Sequence, residues 1–158
     1  MQDTIVIGLG NILMADEGIG IRVVERLAAH ADRFPGVSFL EAGTSGMAAL
    51  HAMAGHPKAI FVDCALMGEP PGTIRRFTPE QAASLKKLPG LSLHEGDLFS
   101  LLDLSRRLGE CPAEIIIFAI QPARLEPGME VSDILAGRLE EYSNLVARDL
   151  LDDQAVRL

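Results

Sequence analysis

Apolar and polar positions follow two rhythms along the chain, and the switch between them recurs. Thr4 to Ile7 is a short apolar run of the kind a buried parallel strand produces. After Gly8 and Gly10 the spacing changes. Ile19, Val23, Val24 and Leu27 share one side of a helical wheel and Arg22, Glu25 and Arg26 the other. This predicts a helix from Gly18 to about Asp32, stopped by Phe34-Pro35-Gly36. Val37 to Glu41 predicts a second strand with a glycine-rich exit at Ala42 to Gly46, and Met47, Leu50 and Met53 a short second helix. Ala59 to Cys64 is a third strand, apolar until it meets Asp63. Strand and helix in alternation predict an α/β fold: a parallel sheet with helices on both faces.

The second half is less regular. Thr73 to Thr78 reads as an edge strand with polar residues on its alternate face, and Pro79-Glu80 as the start of a helical turn. Leu91 to His94 leads into a helix that buries Leu98, Leu101, Leu102 and Leu108. Ala113 to Ile120 is another continuous apolar strand, followed by a stiff loop through Pro122 and Pro127. Ser132 is a good cap for a last helix carrying Leu135, Leu139, Tyr142, Val146 and Leu150, with fraying expected from Asp152. No repeat, biased segment or linker divides the chain, which predicts one domain over residues 1–158.

Composition narrows the partners. The chain has 158 residues, 48% of them hydrophobic, with a net charge of −8. That balance argues against nucleic acid or an anionic membrane as the main partner. No apolar run approaches the ~18 residues of a membrane span, and Met1 to Thr4 lacks the charged region of a signal peptide. A cytoplasmic location is expected. Cys64 and Cys111 lack metal-type spacing and are expected to be reduced.

The first loop invites a nucleotide reading and then resists it. Gly8-Leu9-Gly10 matches the start of a dinucleotide fingerprint, but Leu13 stands where the third glycine is needed. Two carboxylates, Asp16 and Glu17, follow where a phosphate would have to sit, and they would repel it. A helix start tolerates such acids well.

Ligands of open α/β sheets bind beyond the carboxyl ends of the strands. That rim collects Asn11, Asp16 and Glu17 after strand one, Glu41, Gly43 and Thr44 after strand two, Asp63 and Cys64 after strand three, and Gln121 after the last. His94 belongs to a loop that can return to the same rim. Glu17, Asp63 and His94 together offer two carboxylates and an imidazole, a set that holds zinc, nickel or a similar ion with positions open. Their plain structural readings are a helix-start charge for Glu17 and a turn cap for Asp63. A strand that ends on an acid favours function, because a buried carboxylate is costly unless paired or liganded. Cys64 could act as a nucleophile with His94 as base, but strand alternation turns it away from Asp63. His30, His51 and His56 read as surface or helix-end residues, and Thr44 and Ser45 as turn formers or peptide contacts.

Taken together, Gly8-x-Gly10-Asn11-x-Leu13-x-x-Asp16-Glu17-Gly18-x-Gly20 resembles the signature of the nickel–iron hydrogenase maturation proteases. Gly43-Thr44-Ser45-Gly46, the strand end at Asp63, Ser92-Leu93-His94 and Gln121-Pro122 resemble that family's later landmarks in the same order, over roughly Thr4 to Leu151. The resemblance implies a single three-layer α/β domain with a mixed, mostly parallel sheet. It implies a cytoplasmic endopeptidase, expected to be a monomer, that removes the C-terminal extension of the hydrogenase large-subunit precursor after nickel insertion. It places the metal contacts and the catalytic roles on Glu17, Asp63 and His94, with Glu41 as a possible supporting acid. The cofactor it implies is nickel, held by the substrate rather than resident, while a resident ion that activates water is the other mechanism the same three ligands support. Another metal-dependent peptidase on a similar fold, or a non-catalytic nickel-sensing or chaperone module, stays open at this point.

Overall fold

The protein is described here by a computed structural model, which covers residues 3–85, 92–93 and 96–157. The chain opens with β1 (Thr4–Leu9), α1 (Ile19–Ala28), β2 (Val37–Gly43), α2 (Gly46–Met53) and β3 (Lys58–Leu66). It continues through β4 (Ile74–Phe77), α3 (Pro79–Leu85), β5 (Ser92–Leu93) and α4 (Gly96–Arg107). β6 (Glu114–Ile120), α5 (Asp133–Ala136) and α6 (Leu139–Arg157) complete it. The strands form a mixed sheet in the order β2-β1-β3-β6-β4, with β5 paired to the end of β3. β1 is parallel to both β2 and β3, β3 is parallel to β6, and β4 and β5 run antiparallel.

Alternation along the buried strands supplies both faces of the sheet with apolar side chains. Ile5, Ile7, Phe61, Ala65 and Ile117 pack on Leu50 and Met53 of α2 and Leu98 and Leu102 of α4. Val6, Ile60, Val62, Cys64 and Ile116 pack instead on Val23 and Val24 of α1 and on Tyr142, Val146 and Leu150 of α6. These are the three layers expected of the chain. α1 lies unusually close to the sheet. A Cβ on Gly20 would come within 2.1 Å of the Val62 carbonyl oxygen and 2.6 Å of that of Leu9, so only glycine lets the helix seat there.

Three elements differ from the sequence reading. α1 stops at Ala28, and Ala31–Arg33 form a separate 3-10 turn. The periodic stretch after Ser132 is two helices. Ser132 caps α5, and the chain then tightens at Gly137, with the Arg138 amide reaching only to Leu135, before α6 begins and runs on to Arg157. Leu108 lies past the end of α4 and is 53% exposed, whereas Leu98 and Leu102 are buried as expected. β4 is the predicted edge strand. Its Arg76 makes two hydrogen bonds to Asp149 of α6, at 2.8 and 2.9 Å, which tie the edge to the helical layer. Among the described residues no helix is long and apolar enough to cross a membrane.

Candidate active site

The chain leaves β1 to make β2 on one side and β3 on the other, so the sheet opens a crevice between the carboxyl ends of β1 and β3. Glu17 follows β1 and Asp63 ends the apolar part of β3. The loop between β1 and α1 is shaped by its own backbone. Asn11 accepts the Leu13 amide at 2.9 Å, and the chain winds into a 3-10 turn at Ala15–Gly18. Gly10 has φ +125°, and a Cβ there would sit 1.9 Å from the Glu17 carbonyl oxygen. The glycines of the opening motif thus pack backbone on backbone. They hold the Glu17 turn close against the strand end.

Asp16 and Glu17 are neighbours with different duties. Asp16 is fully buried, and both its oxygens are in use. One accepts the Ser132 amide at 2.6 Å; the other accepts the Ala123 and Arg124 amides and the Ser132 hydroxyl, each at 2.8 Å. Its own amide donates to the Arg124 carbonyl. Asp16 therefore ties the first loop to the loop that follows β6, and a share in the metal site, which the sequence left open for it, does not fit this geometry. Glu17 is half-buried. Ala15, at φ +50°, is the one non-glycine residue with positive φ among the described residues, and the strain falls at the base of this turn.

Asp63 is buried, 1% exposed, and accepts the Cys64 amide at 2.7 Å. Alternation puts it on the side of the sheet that carries α2 and α4, while Cys64 packs on the opposite side. Burial pushes the Cys64 thiol well above its usual range, and the nearby carboxylates of Asp63, Glu17 and Asp16 push it further the same way. A thiol held protonated is a poor nucleophile. Cys64 is core, not chemistry. The turn that carries Glu17 lies against β3, the strand that carries Asp63.

The third expected ligand, His94, lies outside the described residues. Leu93, just before it, pairs with Ala65 of β3, beyond Asp63. Among the described residues no three His, Cys, Asp or Glu side chains gather to hold a metal. Glu41 is exposed at the end of β2, where partial burial and the neighbouring Glu25 raise its carboxyl pKa, opposed by Arg22. It borders Glu25 and Arg22 of α1. Gln121 is structural: its side-chain oxygen accepts the Met67 amide at 2.6 Å and fastens the turn after β3. Ser45 caps α2 by accepting the Ala48 amide. His30 and His51 are exposed as expected, whereas His56 is half-buried with Nε2 3.3 Å from the Ser38 hydroxyl.

A cleft of about 190 Å³ adjoins the first loop, lined by Leu9, Gly10, Gly43, Thr44, Gly46, Leu98 and Leu101. It is mostly apolar and reaches the start of α2. The arrangement as a whole is two carboxylates on elements bordering the β1–β3 crevice, beside a mostly apolar cleft. The latch made by Asp16 and the loop 121–132 was not visible in the sequence. Its one signal was Ser132, which reads there only as a helix cap.

The comparisons with known proteins agree on the relationship. The family model described as hydrogenase maturation protease matches residues 21–149. Hydrogenase 2 maturation protease of Escherichia coli is 31% identical over 137 residues, covering 86% of this chain and 83% of that protein. The hydrogenase expression/formation protein HupD of Thiocapsa roseopersicina is 31% identical over 124 residues, covering 78% of this chain. That match takes in 56% of HupD, so the chain spans little more than half the length of that relative. The solved structure of the hydrogenase maturating endopeptidase HybD from E. coli superposes with a TM-score of 0.81 at 29% identity, over 96% of this chain and 93% of that one. On this evidence the chain belongs to the hydrogenase maturation protease family.

Proposed function

We propose that this protein removes a C-terminal extension from the large-subunit precursor of a nickel–iron hydrogenase after nickel insertion. The observation that carries the reading is the pair of carboxylates, Glu17 and Asp63, at the β1–β3 crevice of a chain from this family. Glu17, Asp63 and His94 are the residues that would engage nickel already held by the substrate. Two carboxylates and an imidazole suit a borderline divalent ion and leave positions open. The bound ion supplies Lewis acidity toward the scissile carbonyl. One of the carboxylates, Glu17 or Asp63, takes the proton from the attacking water, and the buried setting of Asp63 keeps that oxygen out of bulk solvent. Recognition of the loaded ion would restrict cleavage to precursors whose metal is in place. In this reading the enzyme works in the cytoplasm as a monomer.

The test is incubation of the purified protein with precursor large subunits, with and without nickel, followed by mass spectrometry. Loss of the tail from the loaded precursor alone is the expected result. An intact tail in both samples overturns the protease reading, and loss from both overturns the nickel requirement.

A further inference from the structure

The exposed apolar side chains are unevenly distributed. Nine large hydrophobic residues are exposed among the described residues. Five of them lie on the segments at the carboxyl ends of β1, β2, β3 and β6, the end of the sheet that carries Glu17 and Asp63. They are Leu13 at 57%, Met47 at 58%, Leu66 at 44%, Leu125 at 39% and Met129 at 63%. Single exposed hydrophobics need no explanation, but a concentration of them around a site does.

Their support is unusual too. Leu13, Leu125 and Met129 sit on the two loops that Asp16 joins. The Gly128 amide donates to the Leu13 carbonyl at 2.9 Å, the Ala15 amide donates to the Gly128 carbonyl at 2.8 Å, and Met14 and Gly128 form an isolated parallel bridge. A fully buried carboxylate is costly to desolvate and is tolerated here because four donors meet it. The result is a loop held in one shape while its apolar side chains face water. Charged groups border them. Arg22 donates to the Met129 carbonyl, and Arg124 pairs with Glu126 and donates to the Glu130 carbonyl. An apolar centre with a charged border, fixed in advance, is the anatomy of a protein docking surface.

We propose that the apolar rim centred on Leu13, Leu125 and Met129 docks the folded body of the large-subunit precursor, with Asp16 as its positioning residue. This rests on the protease reading, which makes the partner a folded protein whose tail must enter beside Glu17. A surface on the loop that bears Glu17 is one such a substrate meets on the way in. The rim then contributes to substrate affinity, and the crevice to bond cleavage.

The variants to make are Leu13→Asp with Met129→Asp at the rim and Leu104→Asp with Leu108→Asp on α4 and beyond, away from it. With nickel-loaded precursor, the rim pair is expected to raise KM about tenfold with kcat within about twofold, and the α4 pair to change neither. An unchanged KM for the rim pair, or an equal rise for the α4 pair, overturns the proposal. Asp16→Asn is expected to raise KM similarly and also to speed amide exchange at Ala123, Arg124 and Ser132, which the rim pair leaves slow. Slow exchange there in Asp16→Asn overturns the positioning role. Sedimentation of the wild type as a dimer that the rim pair dissociates overturns the choice of occupant in favour of a second copy. Should the wild type cleave nothing, the protease reading fails on its own, and direct binding of the precursor still decides: binding lost in the rim pair supports docking, and no binding or unaltered binding ends it.

Discussion

Asp16 and Ser132 meet across 116 residues of chain, the carboxylate taking the serine amide at 2.6 Å and the serine hydroxyl at 2.8 Å. With the Ala123 and Arg124 amides added, the charge is surrounded by donors in a place without water access. Asp16→Asn keeps one acceptor and turns an NH2 toward N–H groups. A loss of about 3 kcal/mol is expected, read as a lower urea midpoint with an unchanged slope. Ser132→Ala removes one hydroxyl bond and the α5 cap together, and about 1–2 kcal/mol is expected there. A stability equal to wild type in Asp16→Asn would show that the latch is dispensable.

Asp63→Asn tests chemistry more cleanly than it tests folding. The amide oxygen can still accept the Cys64 N–H at the strand end while the charge is removed. Asp63→Asn, Glu17→Gln and His94→Ala are each expected to abolish tail removal while circular dichroism and melting midpoint stay within error of wild type. Normal processing by any one of them would remove that residue from the site.

Glycine substitutions should separate the fold from the loop. Gly20→Ala drives a methyl toward the Val62 carbonyl at 2.1 Å in the middle of the helix–sheet contact. A destabilisation of about 3 kcal/mol or more follows, because only a backbone shift can relieve it. Gly10→Ala collides with the Glu17 carbonyl and also occupies φ +125°. Tail removal should be lost there even in the fraction that folds, as judged by activity per folded molecule.

Alkali should weaken the protein through two buried groups. The Tyr142 hydroxyl donates to the Gly72 carbonyl at 2.6 Å. Burial pushes its pKa from 10.0 up to about 12, helped by Glu141 and Asp16 and opposed by Arg138. The Cys64 thiol is raised by burial and the three carboxylates. For both, the folded state holds its proton more tightly than the unfolded one. Their stability contribution is whole below the unfolded values of about 9 and 10 and is lost as pH climbs beyond them. Urea midpoints should therefore fall between about pH 9 and 12, less steeply above pH 10 in Tyr142→Phe. Cys64 should resist alkylation at pH 8 until the protein is unfolded. A flat midpoint, or rapid labelling of the folded protein, would contradict the assignment.

The apolar runs of β1, β3 and β6 were plain in the sequence because strands buried on both faces leave no polar alternation to misread. The division of α5 from α6 was hidden, since Leu135, Leu139 and Tyr142 keep helical spacing across a turn that breaks at Gly137. The duty of Asp16 stayed hidden for a different reason. Asp16 is chosen by donors on the main chain of residues 123, 124 and 132, and a backbone N–H carries no residue identity. Leu108 was misplaced because periodicity alone does not say where a helix stops. Glu17 and Asp63 were proposed from a rule about strand ends, and the structure puts them after β1 and on β3, the strands that border the crevice. His94 lies outside the described residues and rests on the resemblance.

The distance in sequence between Asp16 and its donors also sets an order of assembly. β1 and the loop after it are made more than a hundred residues before the groups that fix that loop, which arrive only with residues 123 to 132. A growing chain can close β1 onto β2 and β3 early and still carry Glu17 on an unlatched turn. The turn that carries Glu17 takes its fixed shape only once residues 123 to 132 are in place, so a product ending before them would leave that turn unlatched.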